Sequence, residues 1–81
     1  MKVLLFGVTK DIIGSSILDV SNFTTNTQKT VGDLHTYLQE KYPDLKKLSS
    51  LAIAVNSAYA EHSVTLKETD EVALIPPVSG G

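Results

Sequence analysis

Apolar residues gather in three strand-length runs: Val3-Leu4-Leu5-Phe6 continuing to Val8, Leu51-Ala52-Ile53-Ala54-Val55, and Val72-Ala73-Leu74-Ile75. Their length and β-branched content predict strands over 3–8, 51–55 and 71–75. Residues 16–21 alternate more weakly through Ile17 and Val20 and predict a second strand. The segment 9–16 holds Asp11, Gly14 and two serines, so it reads as a loop or a single helical turn. Residues 22–29 are polar, with Phe23 as their one apolar anchor. A different period begins at Thr30-Val31-Gly32-Asp33, a capping-box pattern with an acid three residues after the threonine. Behind it Val31, Leu34, Leu38 and Tyr42 recur at helical spacing, with His35 beside that stripe, until Pro43 stops the run. These positions predict one helix over 31–42. Asn56-Ser57-Ala58 then turns the chain, Tyr59-Ala60 can pair back, and 66–70 reads as a turn.

Strands separated by one long helix indicate an α+β layer, with a mixed sheet and one main helix on one face; the β-grasp topology satisfies that order. Strand parity adds a constraint. Val3, Leu5, Ile53, Val55, Val72 and Leu74 form the helix-facing set. The opposite set, Leu4, Phe6, Ala52, Ala54, Ala73 and Ile75, is also apolar, whereas a solvated face should be polar. A helix of about 12 residues is about 18 Å long and covers only one face. The other face is therefore expected to belong to a partner, unless the loops at 9–16 and 60–69 fold over it.

Composition removes several classes of function. The chain has 81 residues and a net charge of −2, with no arginine and no cysteine. Without a basic stripe, nucleic acid is not an expected ligand. Without thiols, disulfides, thiolate zinc sites and cysteine nucleophiles are excluded. No apolar run is long enough to span a membrane, and a small disulfide-free domain suits the cytoplasm. The apolar start is followed by Thr9-Lys10-Asp11 with no small-residue cleavage site, so a first strand is expected there rather than a signal peptide. His35 and His62 lie far apart in sequence and show no metal-ligand spacing, so no metal site is expected. Glu68, Asp70 and Glu71 read as a solvated edge, and no acid–base pair, nucleophile elbow or phosphate loop stands out.

The ending is different. Ile75-Pro76-Pro77-Val78-Ser79-Gly80-Gly81 predicts a division at 75, with a folded body over 1–75 and an extended flexible tail over 76–81. The prolines stop the strand and favour extension, and the glycines carry no side chain. Six such residues reach roughly 20 Å at about 3.3–3.6 Å each. A carboxylate on an uncrowded terminal glycine can attack the α-phosphate of ATP, and a sulfur or amine nucleophile can then open the acyl-adenylate. A frayed terminus or an expression scar is the competing reading of the same residues.

The stretch Asp70-Glu71-Val72-Ala73-Leu74-Ile75-Pro76-Pro77-Val78-Ser79-Gly80-Gly81 resembles the C-terminus of the molybdopterin synthase small subunits, the MoaD family of sulfur carriers. Val3-Leu4-Leu5-Phe6, the Thr30-Val31…Leu34 helix start and Ala54-Val55-Asn56 fall at that family's spacing too. The resemblance implies a ubiquitin-like β-grasp fold. It implies that an E1-like adenylyltransferase (MoeB-type) adenylates Gly81 and that a persulfide sulfur donor turns it into a thiocarboxylate. The tail, Pro76, Pro77, Val78, Ser79 and Gly80, would thread into the synthase large subunit of a heterotetramer and give sulfur to precursor Z (cyclic pyranopterin monophosphate). Catalytic side chains would lie on the large subunit, making this chain a sulfur-donating subunit whose standing as an enzyme is open. It would bind no cofactor itself, ATP and sulfur being used through the activating partner. By match of position, Phe6, Tyr59 and Ile75 would form the apolar contact surface. Lys10 stands where relatives often have arginine and would contact the tail or partner. Thr69 stands where a glycine is common. Carriers for thiamine thiazole or tRNA thiolation, and a β-grasp interaction module whose tail is never activated, are the alternatives.

Overall fold

The first and last strands meet side by side in the computed structural model, which describes residues 1–20, 23, 28–48 and 50–77. β1 (Lys2–Leu5) pairs parallel with β7 (Glu71–Ile75) in the register Val3↔Val72 and Leu5↔Leu74. β2 (Ile17–Asp19) adds antiparallel to the far side of β1. β4 (Ala52–Val55) adds antiparallel to β7, and β5 (Ala58–Tyr59) folds back on β4. The result is a mixed five-stranded sheet in the order β2-β1-β7-β4-β5. A separate two-stranded ladder joins β3 (Lys29–Thr30) to β6 (Thr65–Leu66).

One main helix, α2 (Val31–Lys41), covers one sheet face, the α+β arrangement expected from the strand and helix periods. Its start is the capping box read from the sequence. The Asp33 N–H donates to Thr30 Oγ1 at 3.2 Å, and the Thr30 N–H donates to Asp33 Oδ2 at 2.9 Å. Val31, Leu34 and Leu38 point into a core closed by Val3, Leu5, Ile53, Val72 and Leu74, all buried. Val55, the sixth residue assigned to the helix-facing set, is half-buried against that core. Truncating a leucine as buried as Leu34 or Leu38 to alanine costs about 2–5 kcal/mol, so this stripe is a major source of stability.

Two local expectations are corrected and one alternative is settled. Gly7 takes φ +54°, a conformation closed to most side chains, so β1 ends at Leu5 rather than running to Val8. Residues 9–16 carry the helical alternative rather than the loop, as α1 (Val8–Ile13), which ends at Gly14 in the left-handed region. Leu66 lies in β6 rather than in a turn, because its buried side chain completes the core beneath the helix. A 3-10 helix over Pro43–Lys47 also follows α2 and buries Leu45.

The acidic turn before β7 is a clasp rather than a loose edge. Asp70 accepts from the Lys67 N–H at 2.8 Å and from Asn56 Nδ2 at 2.9 Å. The Glu71 N–H donates to Asn56 Oδ1 at 3.0 Å. This holds Asn56 and Ser57, both at positive φ, in the hairpin between β4 and β5. Among the described residues those two, not Thr69, are the non-glycine residues at positive φ.

The hydrogen bond from the Thr30 N–H, followed by burial acting in opposition, leaves Asp33 below its ordinary value of 3.8. The Lys67 N–H and then the Asn56 amide lower Asp70 in the same way. A carboxyl lowered by folding stabilises the folded state above its unfolded pKa and ceases to as pH falls through the folded one. Urea denaturation is therefore expected to show stability falling below about pH 4, with a smaller fall in an Asp33→Asn/Asp70→Asn variant. An unchanged acid profile in that variant would remove these two groups as the cause. Separately, Thr30→Ala should cost about 1 kcal/mol at neutral pH by the same measurement.

Candidate functional site

The sheet face opposite α2 is open among the described residues. Leu4, Phe6, Ala54, Ser57, Tyr59, Glu71, Ala73 and Ile75 line a shallow concavity of about 330 Å³ there. No residue of 9–16 or 60–69 lines it, so those loops do not roof the apolar face. Phe6 is 48% exposed and Tyr59 76% exposed, unusual for aromatic side chains with no role at a surface.

Phe6, Tyr59 and Ile75, which the sequence places at 6, 59 and 75, thus share one concavity. Pairing explains why. The parallel ladder sets β1 beside β7, so residues after Leu5 emerge next to those after Leu74. Ala54 pairs with Tyr59 across the β4–β5 hairpin and with Ala73 on the other side. Small alanines at 54 and 73 leave a hollow between larger neighbours. Lys10 is exposed on α1 and does not line the concavity.

Two further residues shape the site. Thr9 is completely buried, and its Oγ1 accepts from the Phe6 N–H at 3.0 Å while its hydroxyl donates to the Phe6 carbonyl. Both backbone groups of Phe6 are therefore held by one side chain, which sets the direction of the ring. A buried threonine just after an apolar run is the sequence signal for it, though a serine- and glycine-bearing loop masks that signal. Gly7 is the second. A Cβ on Gly7 would lie 3.1 Å from Pro76 Cγ, so the first tail proline packs into space that only glycine leaves. Pro76 and Pro77 are half-buried at the end of β7. Val78, Ser79, Gly80 and Gly81 lie outside the described residues.

The histidines, expected to be unrelated, are brought together. His35 Nδ1 lies 3.3 Å from His62 Nε2, across 27 positions of sequence. Burial and, secondarily, the neighbouring His62 push the His35 imidazole below its ordinary 6.5. The pair sits on the helix side of the sheet, away from the concavity. Among the described residues no group of three or more histidine, cysteine, aspartate or glutamate side chains could hold a metal ion. None of their helices is long and apolar enough to cross a membrane.

Gly7→Ala should cost about 1–3 kcal/mol, because it combines a positive φ with pressure on Pro76. Gly14→Ala also meets a positive φ but has nothing within 4 Å, so it should cost about 1–2 kcal/mol and leave Pro76 undisturbed. Urea denaturation of both variants, with the Pro76 ring resonances as a local probe, checks the difference. A Gly7→Ala protein with unshifted Pro76 signals would contradict the packing described.

Comparison with known proteins gives this site a context. The model of the ThiS family matches residues 3–81. A molybdopterin synthase sulfur carrier subunit from Mycobacterium tuberculosis is 35% identical over 82 residues, covering 100% of this chain and 96% of that relative. SAMP1 from Haloferax volcanii superposes with a TM-score of 0.75 at 28% identity, covering 100% of this chain and 98% of that one. A protein–protein complex of subunits 1 and 2 of the molybdopterin-converting factor from Helicobacter pylori contains a chain with a TM-score of 0.61 at 28% identity, with 99% and 96% covered. The chain belongs to the ThiS family and has the β-grasp fold of the MoaD/ThiS-type sulfur carriers.

Proposed function

We propose that this chain is the sulfur-carrier small subunit of molybdopterin synthase, with Gly81 as its working group. The observation that carries the reading is the junction of two features. The Pro76-Pro77-Val78-Ser79-Gly80-Gly81 ending leaves β7 at Ile75, and Ile75 is also a wall of the open concavity with Phe6 and Tyr59. The apolar face docks the synthase large subunit, and Pro76 against Gly7 aims the following residues into its pocket.

The chemistry follows from a C-terminal carboxylate. Its oxygen attacks the α-phosphate of ATP on an adenylyltransferase, releasing pyrophosphate and leaving Gly81 as a mixed anhydride. The outer sulfur of a persulfide donor attacks the acyl carbon and expels AMP. Cleavage of the remaining S–S bond by a thiol leaves a thiocarboxylate. In the large subunit the thiocarboxylate sulfur attacks precursor Z, and water returns Gly81 to the carboxylate. This chain supplies the acyl group, its presentation and the docking face, while the partners supply the acids, bases and metal. Such a cycle would run in the cytoplasm.

The likeness to SAMP1, which an archaeal relative's name calls a small modifier protein, supports a second reading. The same adenylated Gly81 could be opened by a lysine amine, which joins the chain to another protein instead of loading it with sulfur. Incubation with ATP, the activating enzyme and a sulfur donor separates the two by intact mass. Sulfur loading is expected to add about 16 Da, one oxygen exchanged for sulfur. Higher-mass amide conjugates without that species would favour the modifier reading, and no change would defeat both.

Docking is tested on the partner. Phe6→Ala and Tyr59→Ala should each weaken binding to the large subunit by about 1–2 kcal/mol, roughly tenfold, when measured by calorimetry. Deletion of Gly81 should leave that binding intact while ending sulfur transfer. Full product formation by the truncated chain would refute the assignment of Gly81.

A further inference from the structure

On the helix side of the sheet, away from the docking face, two imidazoles converge. We propose that His35 Nδ1 and His62 Nε2 form a two-histidine binding site for a divalent transition-metal ion, with zinc as the best fit.

The geometry is the first support. Two imidazoles on one tetrahedral zinc, with Zn–N bonds of about 2.0–2.1 Å, hold their ligating nitrogens about 3.3 Å apart and their ring centres about 5.2 Å apart. His35 and His62 show a separation of 3.3 Å between nitrogens and 5.2 Å between ring centroids. A straight N–H···N hydrogen bond at that N···N distance would place the ring centres about 5.6 Å apart. The ring centres lie closer than a straight hydrogen bond would put them, a separation compatible with two ligands of one tetrahedral ion.

Both ligands stand on fixed backbone. His35 is on α2, and its ring is half-buried. His62 is held against the first turn of that helix, its carbonyl accepting from the Gly32 N–H at 3.0 Å. The neighbouring Val31 N–H donates to the Val64 carbonyl at 2.8 Å. Gly32 allows the approach, since a Cβ there would lie 3.2 Å from His62 Cβ. An arrangement held before the ion arrives loses less freedom on binding.

Among the described residues the buried His35 Nε2 has no hydrogen-bond partner, and Nδ1 is the atom turned toward His62. A proton on Nε2 leaves the Nδ1 lone pair for the ion. His62 is exposed, so water can complete the coordination. Imidazole donors select zinc, copper or nickel over magnesium or calcium, and the tetrahedral spacing favours zinc.

The test is a zinc titration of the full chain followed through the histidine ring ¹H–¹⁵N signals, with magnesium as the control. His35 Nδ1 and His62 Nε2 are expected to take the ¹⁵N shift of metal-bound nitrogens together, and magnesium should move neither. His62→Gln, at an exposed position, should weaken zinc binding at least about tenfold. The proposal is overturned if millimolar zinc leaves the rings unchanged, if other nitrogens take the shift, or if His62→Gln binds as tightly as the parent. The parent spectra decide the matter even if the variant folds poorly, because they identify the ligating atoms directly.

Discussion

Parallel pairing of β1 with β7 is the constraint from which the other features follow. It joins residues nearly 70 positions apart, Lys2 with Glu71 through Leu5 with Leu74. Because side chains alternate across a strand, that register sends Val3, Leu5, Val72 and Leu74 to the helix and Leu4 and Ala73 to the opposite face. A slip by one residue would bury the concave face and expose the core. The same register brings Gly7 beside Pro76, so one ladder sets the core, the open concavity and the root of the tail.

Legibility followed the range of the interactions involved. The capping box at Thr30 and Asp33 acts over three residues and is readable because nothing distant is needed to complete it. The strand over 71–75 and the two-faced parity of the sheet are readable because period-2 alternation is local as well. The end of β1 is not legible because Gly7-Val8 continues an apolar run, and only the positive φ of Gly7 breaks it. β3 and β6 are two residues each, too short to carry a period.

The site divides along the same line. Phe6 and Ile75 are marked by strand parity and by a resemblance together, and Tyr59 by the resemblance alone. Thr9 and Gly7 are not, since each matters through a partner that sequence distance or an unremarkable loop conceals. Thr9 holds the backbone of Phe6, and Gly7 makes room for Pro76. The histidines are the extreme case. Their separation of 27 positions conveys nothing until α2 and the β3–β6 ladder bring the two backbones together.

The far-apart pairing of β1 and β7 also governs when the molecule becomes recognisable. Closing so long a loop costs entropy before any contact repays it, so this ladder cannot form early and independently of the rest. The concavity draws on β1, β4, β5 and β7, and therefore no half-assembled chain displays it. A partner docking there, as proposed, would inspect the finished architecture first, and the terminal residues would be handed over only by a chain that had passed that inspection.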